Sequence, residues 1–163
     1  MQRRALWLCV FAAMSLPVSA ADHDTVLITG ANRGIGLEFV RQYAERGMTV
    51  IATARKTAEA TELAALAAKH ASIRIESLDV ASETSIAGLA RRLKSQPIDI
   101  LIHNAGMLGE LPKQSIGGLD RVEFEQVMAV NAFGALKLSE ALKPNVLAGR
   151  QKKVFALTSG LGS

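Results

Sequence analysis

The run Thr29-Gly30-Ala31-Asn32-Arg33-Gly34-Ile35-Gly36 has the residue types and spacing of a phosphate cradle. It follows the strand-like stretch Thr25-Val26-Leu27-Ile28. It opens a segment in which Leu37, Val40, Tyr43 and Ala44 recur at helical spacing, with Gly47 as a C-terminal stop. In a strand, turn and helix of this order, the backbone N–H groups of the turn and the positive end of the helix dipole face an anion. Gly30 stands where the chain must turn sharply, and Gly34 lets the backbone approach a pyrophosphate. Gly36 lets the helix pack closely on the strand. Asn32, Arg33 and Ile35 fill the rest of the cradle. A Gly-x-x-x-Gly-x-Gly turn can also be purely structural; its place between a strand and a helix favours a nucleotide ligand.

The elements that must position this turn alternate along the chain. Strands are predicted over 25–29, 48–53, 72–78, 98–103 and 153–158, and helices over 34–46, 58–69, 82–95 and 120–147. Continuous apolar runs such as Ile98-Asp99-Ile100-Leu101-Ile102 suit strands covered on both faces. Strand–helix alternation with right-handed crossovers predicts an α/β fold, a doubly wound parallel sheet of Rossmann type. Ser82 and Asp120 are expected to cap the helices that follow them. The segment 105–119 holds Gly106, Gly109, Pro112, Gly117 and Gly118. It reads as a long irregular loop beyond a strand's carboxyl end, where ligands of open α/β sheets sit.

A length of 163 residues suits one domain, and an apolar content of 49% excludes a disordered chain. The net charge of +4 is modest, and no basic run with interleaved aromatics implies nucleic acid. His23, His70 and His103 do not form a metal-ligand spacing. Residues 1–21 read as a secretory signal. Arg3 and Arg4 form its basic start, Ala5–Met14 its ten-residue apolar stretch, and Val18-Ser19-Ala20-Ala21 its small-residue cleavage region. The stretch is too short to span a bilayer. This divides the chain into a signal over 1–21 and a nucleotide-binding domain over 22–163, secreted or periplasmic. An uncleaved N-terminal extension, which would leave the protein cytoplasmic, is the other reading. Cys9, the sole cysteine, falls within the signal, so the mature domain would have no thiol.

Five motifs in order resemble the short-chain dehydrogenases/reductases. Thr29 to Gly36 is similar to that family's Thr-Gly-x-x-x-Gly-x-Gly loop. Asp79-Val80, after the third strand, resembles its adenine-contacting Asp. His103-Asn104-Ala105-Gly106 resembles its Asn-Asn-Ala-Gly motif, with His replacing the first Asn. Val130-Asn131 resembles the position of its active-site Asn, and Thr158-Ser159 its Ser-Ser pair, whose second Ser is catalytic. The similarity covers about residues 24–163. Its ending, Leu157 to Ser163, most resembles the carbonyl-reductase-like branch that includes sniffer and C-factor proteins.

The resemblance implies a nicotinamide cofactor and hydride transfer to or from a small-molecule carbonyl or alcohol substrate. It also implies a homo-oligomer for the full-length form. Cofactor contacts would fall on Gly30, Asn32, Arg33, Gly34, Ile35, Gly36, Arg55, Asp79, Val80, Asn104, Ala105 and Gly106, and catalytic roles on Ser159 and Asn131. Each residue also has a plain structural reading. Asp79 suits a turn or helix cap, Asn104 a strand tie, and Ser159 an ordinary loop. Asn131 could face solvent, although its neighbours Met128, Val130, Ala132 and Phe133 are apolar and would demand a hydrogen-bond partner for it.

An acid at the end of strand two favours NAD(H), whereas a cation there suits the extra 2′-phosphate of NADP(H). The second strand here ends Ala52-Thr53-Ala54-Arg55-Lys56, with no acid, and Arg33 precedes the second glycine. NADP(H) is therefore expected over NAD(H), the alternative being that Arg55 and Lys56 are simply solvated. In the family, a Tyr-x-x-x-Lys pair beyond the Ser supplies the general acid and its tuning lysine. The one tyrosine in this sequence is Tyr43, and Gly47 stands where that lysine would be. The expectation is a chain truncated after its fifth strand, poorly soluble alone, and without the Tyr-x-x-x-Lys half of the site. A catalytically dead dinucleotide-binding or interaction module is the alternative.

Overall fold

The computed structural model describes residues 24–158, so the expected signal over 1–21 and Ser159 lie outside the described residues. Five strands form one parallel sheet: β1 (Thr25–Ile28), β2 (Thr49–Ala54), β3 (Ile73–Ser77), β4 (Ile100–His103) and β5 (Lys153–Ala156). Their spatial order is β3-β2-β1-β4-β5. The chain first winds outward through β2 and β3, then crosses back to place β4 beside β1. The carboxyl ends of β1 and β4 thus flank the point where winding direction reverses, the usual ligand crevice of such sheets.

Alternation along the central strands feeds two cores. Val26 and Ile28 of β1 join Val50, Ala52, Ile100 and Ile102 on one face, under Val40 of α1 (Gly34–Glu45) and Leu63 of α2 (Thr61–Ala67). Leu27, Ile51 and Leu101 point the other way. They meet Ile86, Leu89 and Leu93 of α3 (Glu83–Leu93) and Leu138 and Leu142 of α5 (Gly134–Ala148). Each such aliphatic side chain contributes about 1.5–3 kcal/mol when removed from water. The sandwich of helix, sheet and helix is the doubly wound arrangement expected from the sequence.

Local chemistry sets the element ends. α1 stops where Gly47 N–H donates to Ala44 O at 3.0 Å and Met48 N–H to Tyr43 O at 3.1 Å, a Schellman pair. Ser82 Oγ accepts from Ser85 N at 3.2 Å to start α3. Asp120 Oδ1 accepts from Glu123 N at 2.9 Å to start α4 (Arg121–Met128).

Several boundaries differ from those predicted. β4 begins at Ile100 and not at 98; just before it, the Asp99 N–H donates to Thr25 O at 2.8 Å, and backbone is bound as well by the Asp99 carboxylate. It accepts from Thr25 N at 2.7 Å and Arg150 N at 2.6 Å, clamping the amino-terminal edge of the sheet. The helix expected over 58–69 is a 3₁₀ turn, Thr57–Glu59, followed by α2. The helix expected over 120–147 is interrupted by a π-helical turn at Ala129–Phe133 between α4 and α5. Among the described residues, apolar surface is exposed at Phe124, Met128, Phe133 and Leu136 of the α4–α5 unit, and at Val154 and Phe155 of β5.

Candidate functional site

Thr29, the residue after β1, ties that strand's end to β4. Its N–H donates to Ile102 O at 3.0 Å. Its Oγ1 accepts from both Asn104 N and Ala105 N at 3.0 Å. Asn104 returns the contact. Its Nδ2 donates to the carbonyls of Thr29 at 2.9 Å and Gly30 at 3.0 Å. The cradle and the loop after β4 are therefore one hydrogen-bonded unit.

The glycines fit into that unit by having no Cβ. Gly30 adopts φ +63°, and a Cβ there would lie 2.8 Å from Ala105 Cα. A Cβ on Gly36 would lie 2.3 Å from Gly30 O and 2.4 Å from Asn104 Nδ2. Gly34, at φ +55°, meets nothing within 4 Å and faces open space. Its position at the start of α1 leaves the first helical N–H groups without intrahelical acceptors, the first such bond being Leu37 N to Arg33 O at 3.3 Å. No acidic residue occupies this first turn, and no side chain caps it. The dipole end is thus free to face an anion.

A cleft of about 700 Å³ opens over this turn. The structure brings together along its walls Gly30, Asn32, Arg33, Gly34, Ile35 and Gly36 of the cradle, Arg55 after β2, Asp79 and Val80 after β3, and Asn104, Ala105 and Gly106 after β4. Lys56 and Val130, named in the sequence beside Arg55 and Asn131 without a cleft role, also line it, as do Glu59, Leu78 and Met107, which were not singled out. Their positions immediately beyond the carboxyl ends of strands, or on the first turn opposite them, are the signal that could have marked them. Among the described residues the guanidinium groups of Arg33 and Arg55 have no hydrogen-bond or ion-pair partner. Lys56 Nζ pairs with Glu59 Oε1 at 2.9 Å.

Asp79 does what its turn position suggested and also borders the cleft. Its Oδ1 accepts from Ala81 N at 3.0 Å, and its own N–H donates to Ser85 Oγ at 2.9 Å. His103 is buried, with Nε2 2.8 Å from Ser139 Oγ. Burial disfavours its charged form and pushes its imidazole below the usual histidine range, and the contact with Ser139 ties β4 to α5.

Asn131 sits in the π-helical turn and is exposed, as are its neighbours Met128 and Phe133, while Val130 and Ala132 are half-buried. Its partner is nonetheless specific. Oδ1 accepts from Met107 N and Nδ2 donates to Met107 O, both at 2.8 Å. The extra residue of a π turn redirects the side chain toward the loop after β4. Ser159 follows β5 by three residues and lies outside the described residues. No group of His, Cys, Asp or Glu among the described residues could hold a metal ion.

The sequence profile of the short chain dehydrogenase family matches residues 24–163. The chain belongs to that family. Human retinol dehydrogenase 8 is 34% identical to this short-chain dehydrogenase over 150 residues, which make up 88% of this chain and 46% of the relative. An NADPH-dependent pterin aldehyde reductase from Arabidopsis thaliana is 30% identical over 156 residues, 91% of this chain and 64% of the relative. A carbonyl reductase from Pseudomonas aeruginosa PAO1, solved in complex with NADP, superposes with a TM-score of 0.76 at 29% identity. That match covers 86% of this chain and 63% of the other. The chain spans about half the length of the curated relatives it matches.

A short-chain dehydrogenase takes a nicotinamide dinucleotide, and the cradle fits one: close-packed glycines, an uncapped helix start and unpaired cations. Two glycine variants separate packing from binding. Gly36→Ala forces a methyl into the Gly30 carbonyl and is expected to destabilise the protein by about 1–3 kcal/mol, read as a lower melting temperature. Gly34→Asp is expected to leave a folded protein that no longer binds nicotinamide dinucleotide, measured by calorimetric titration. Unchanged affinity in folded Gly34→Asp would contradict the assignment of the cradle.

Proposed function

We propose that this chain is the cofactor-binding part of an NADP(H)-dependent oxidoreductase that interconverts a small carbonyl compound and its alcohol. The observation that carries the cofactor preference is the pair of unpartnered guanidinium groups, Arg33 and Arg55, on the cleft beside an uncapped helix start. A guanidinium can grip a phosphate with two parallel hydrogen bonds, and no acid ends β2 to oppose it. The NADP-bound carbonyl reductase of similar fold supports the same reading.

In this proposal the amides of Gly34, Ile35 and Gly36 hold the pyrophosphate, Asp79 and Val80 border the adenine, and Arg55 with Arg33 takes the 2′-phosphate. Asn104, Ala105 and Gly106 shape the inner wall. The cofactor, when bound, supplies the hydride chemistry. Asn131 acts on the loop through Met107, fixing the backbone beside the inner wall. Ser159 orients the substrate oxygen by resemblance. The exposed apolar face of α4 and α5 supports assembly of the whole protein as a homo-oligomer.

A second reading is dinucleotide binding without turnover, which the same cleft would serve. Consumption of NADPH with a panel of small aldehydes and ketones supports the oxidoreductase; binding without consumption supports the module.

Arg55→Asp is expected to weaken NADPH binding about tenfold or more, as befits loss of a charged hydrogen bond, while NADH binding holds or improves. An unchanged NADPH-to-NADH ratio would show that Arg55 does not read the 2′-phosphate. For location, we propose export through residues 1–21, which gives a secreted or periplasmic protein. The intact mass of protein isolated from its source is expected to begin at Ala21 or Asp22, and a mass that retains Met1 or Gln2 would contradict it.

A further inference from the structure

The cleft wall after β2 carries an acid whose charge opposes the 2′-phosphate of the proposed cofactor. Arg33, Arg55, Lys56 and Glu59 all line this cleft. Glu59 closes a single 3₁₀ turn, Thr57–Glu59, through its N–H to Lys56 O at 3.2 Å. That turn brings its carboxylate to Lys56, with Nζ 2.9 Å from Oε1. The two side chains stay 64% and 68% exposed. An exposed pair of this kind is easily exchanged, because water and salt screen it and both chains are flexible. Of the three cations at the wall, one is therefore occupied by the protein's own carboxylate and two are not.

A nucleotide with a 2′-phosphate and one without it meet this wall differently. The phosphate dianion competes with Glu59 for the Lys56 ammonium, and it is repelled by the carboxylate left behind. A bare ribose hydroxyl does neither, so the Lys56–Glu59 pair stays closed. We propose that Glu59 is a specificity-determining residue that lowers the cleft's preference for the phosphorylated cofactor: it holds Lys56 in reserve and releases it only to a 2′-phosphate. This inference rests on the NADP(H) reading of the cleft.

The test is a double-substitution cycle in the full chain, with NADPH and NADH affinities measured by calorimetric titration. Glu59→Gln keeps the shape of the side chain and removes its charge. It is expected to tighten NADPH binding about threefold to tenfold, the scale of one unit charge acting on a dianion near a surface, and to leave NADH binding within about twofold. Lys56→Met is expected to weaken NADPH binding more in the Glu59→Gln background than in the unmodified protein, since only there is the ammonium fully available. Raising salt should shrink the Glu59→Gln gain. Melting curves establish that each variant is folded; an exposed Glu to Gln change has little packing to lose.

Equal effects on both dinucleotides, no effect on either, or strictly additive effects of the two substitutions would overturn the inference. If the unmodified protein prefers NADPH and Arg55→Asp removes the preference while Glu59→Gln does nothing, only this inference fails. If the unmodified protein shows no preference for NADPH, the reading of the cleft fails and the inference falls with it.

Discussion

The side chain of Asn104 donates both to Thr29 O and to Gly30 O, and the rest of the cleft depends on that clasp. β1 and β4 are neighbours in the sheet but 75 residues apart at this contact. Their ends would otherwise diverge into separate loops. The clasp brings Ala105 against Gly30 so closely that no Cβ fits on Gly30, and it fills the space where a Cβ on Gly36 would stand. Thr29 Oγ1 reinforces it from the other side by accepting two successive backbone N–H groups. The glycines are thus demanded by a side-chain amide on another strand as much as by any ligand. Buried polar groups satisfied in this mutual way rigidify a site, since removing one partner strands the others.

Electrostatics then follow from where the sheet changes winding direction. α1 starts at the switch point with no cap and no acid in its first turn, so its N–H groups and dipole are directed into the cleft. β2 delivers Arg55 and Lys56 to the same wall, and the short 3₁₀ turn adds Glu59. A second hollow, about 450 Å³ and lined by Phe124, Met128, Phe133 and Leu136, is apolar. Among these two, the groups suited to phosphate line the first cleft. Membership in the short-chain dehydrogenase family and the parallel five-stranded sheet agree with this division.

The features legible in the sequence were those carried by local pattern. Alternating apolar residues in Val26, Leu27 and Ile28 supply both cores, and the Ser82, Asp120 and Gly47 punctuation marks real helix ends. The motif residues after β1, β2, β3 and β4 do converge on one cleft. What pattern could not show was anything set by contact across the fold. The π turn at Ala129–Phe133 costs the regular ladder one register step, and its offset is the pair of bonds between Asn131 and Met107, 24 residues away. Periodicity reads that stretch as one unbroken helix. Asp99 looked like a strand residue because its neighbours are apolar, yet its carboxylate serves backbone N–H groups of Thr25 and Arg150. The Lys56–Glu59 pair was invisible because it needs a turn where the sequence suggested the start of a helix.

The central claim is that the cradle after β1, clasped by Asn104, is where a nicotinamide dinucleotide is held. Amide hydrogen exchange with and without NADPH tests it residue by residue. The account predicts slowed exchange at Gly34, Ile35 and Gly36, extending to Arg55 and Lys56 and to Ala105 and Gly106, with the α4–α5 face unchanged. Protection confined to Phe124–Leu136, or absent from the cradle while NADPH binds, would contradict it.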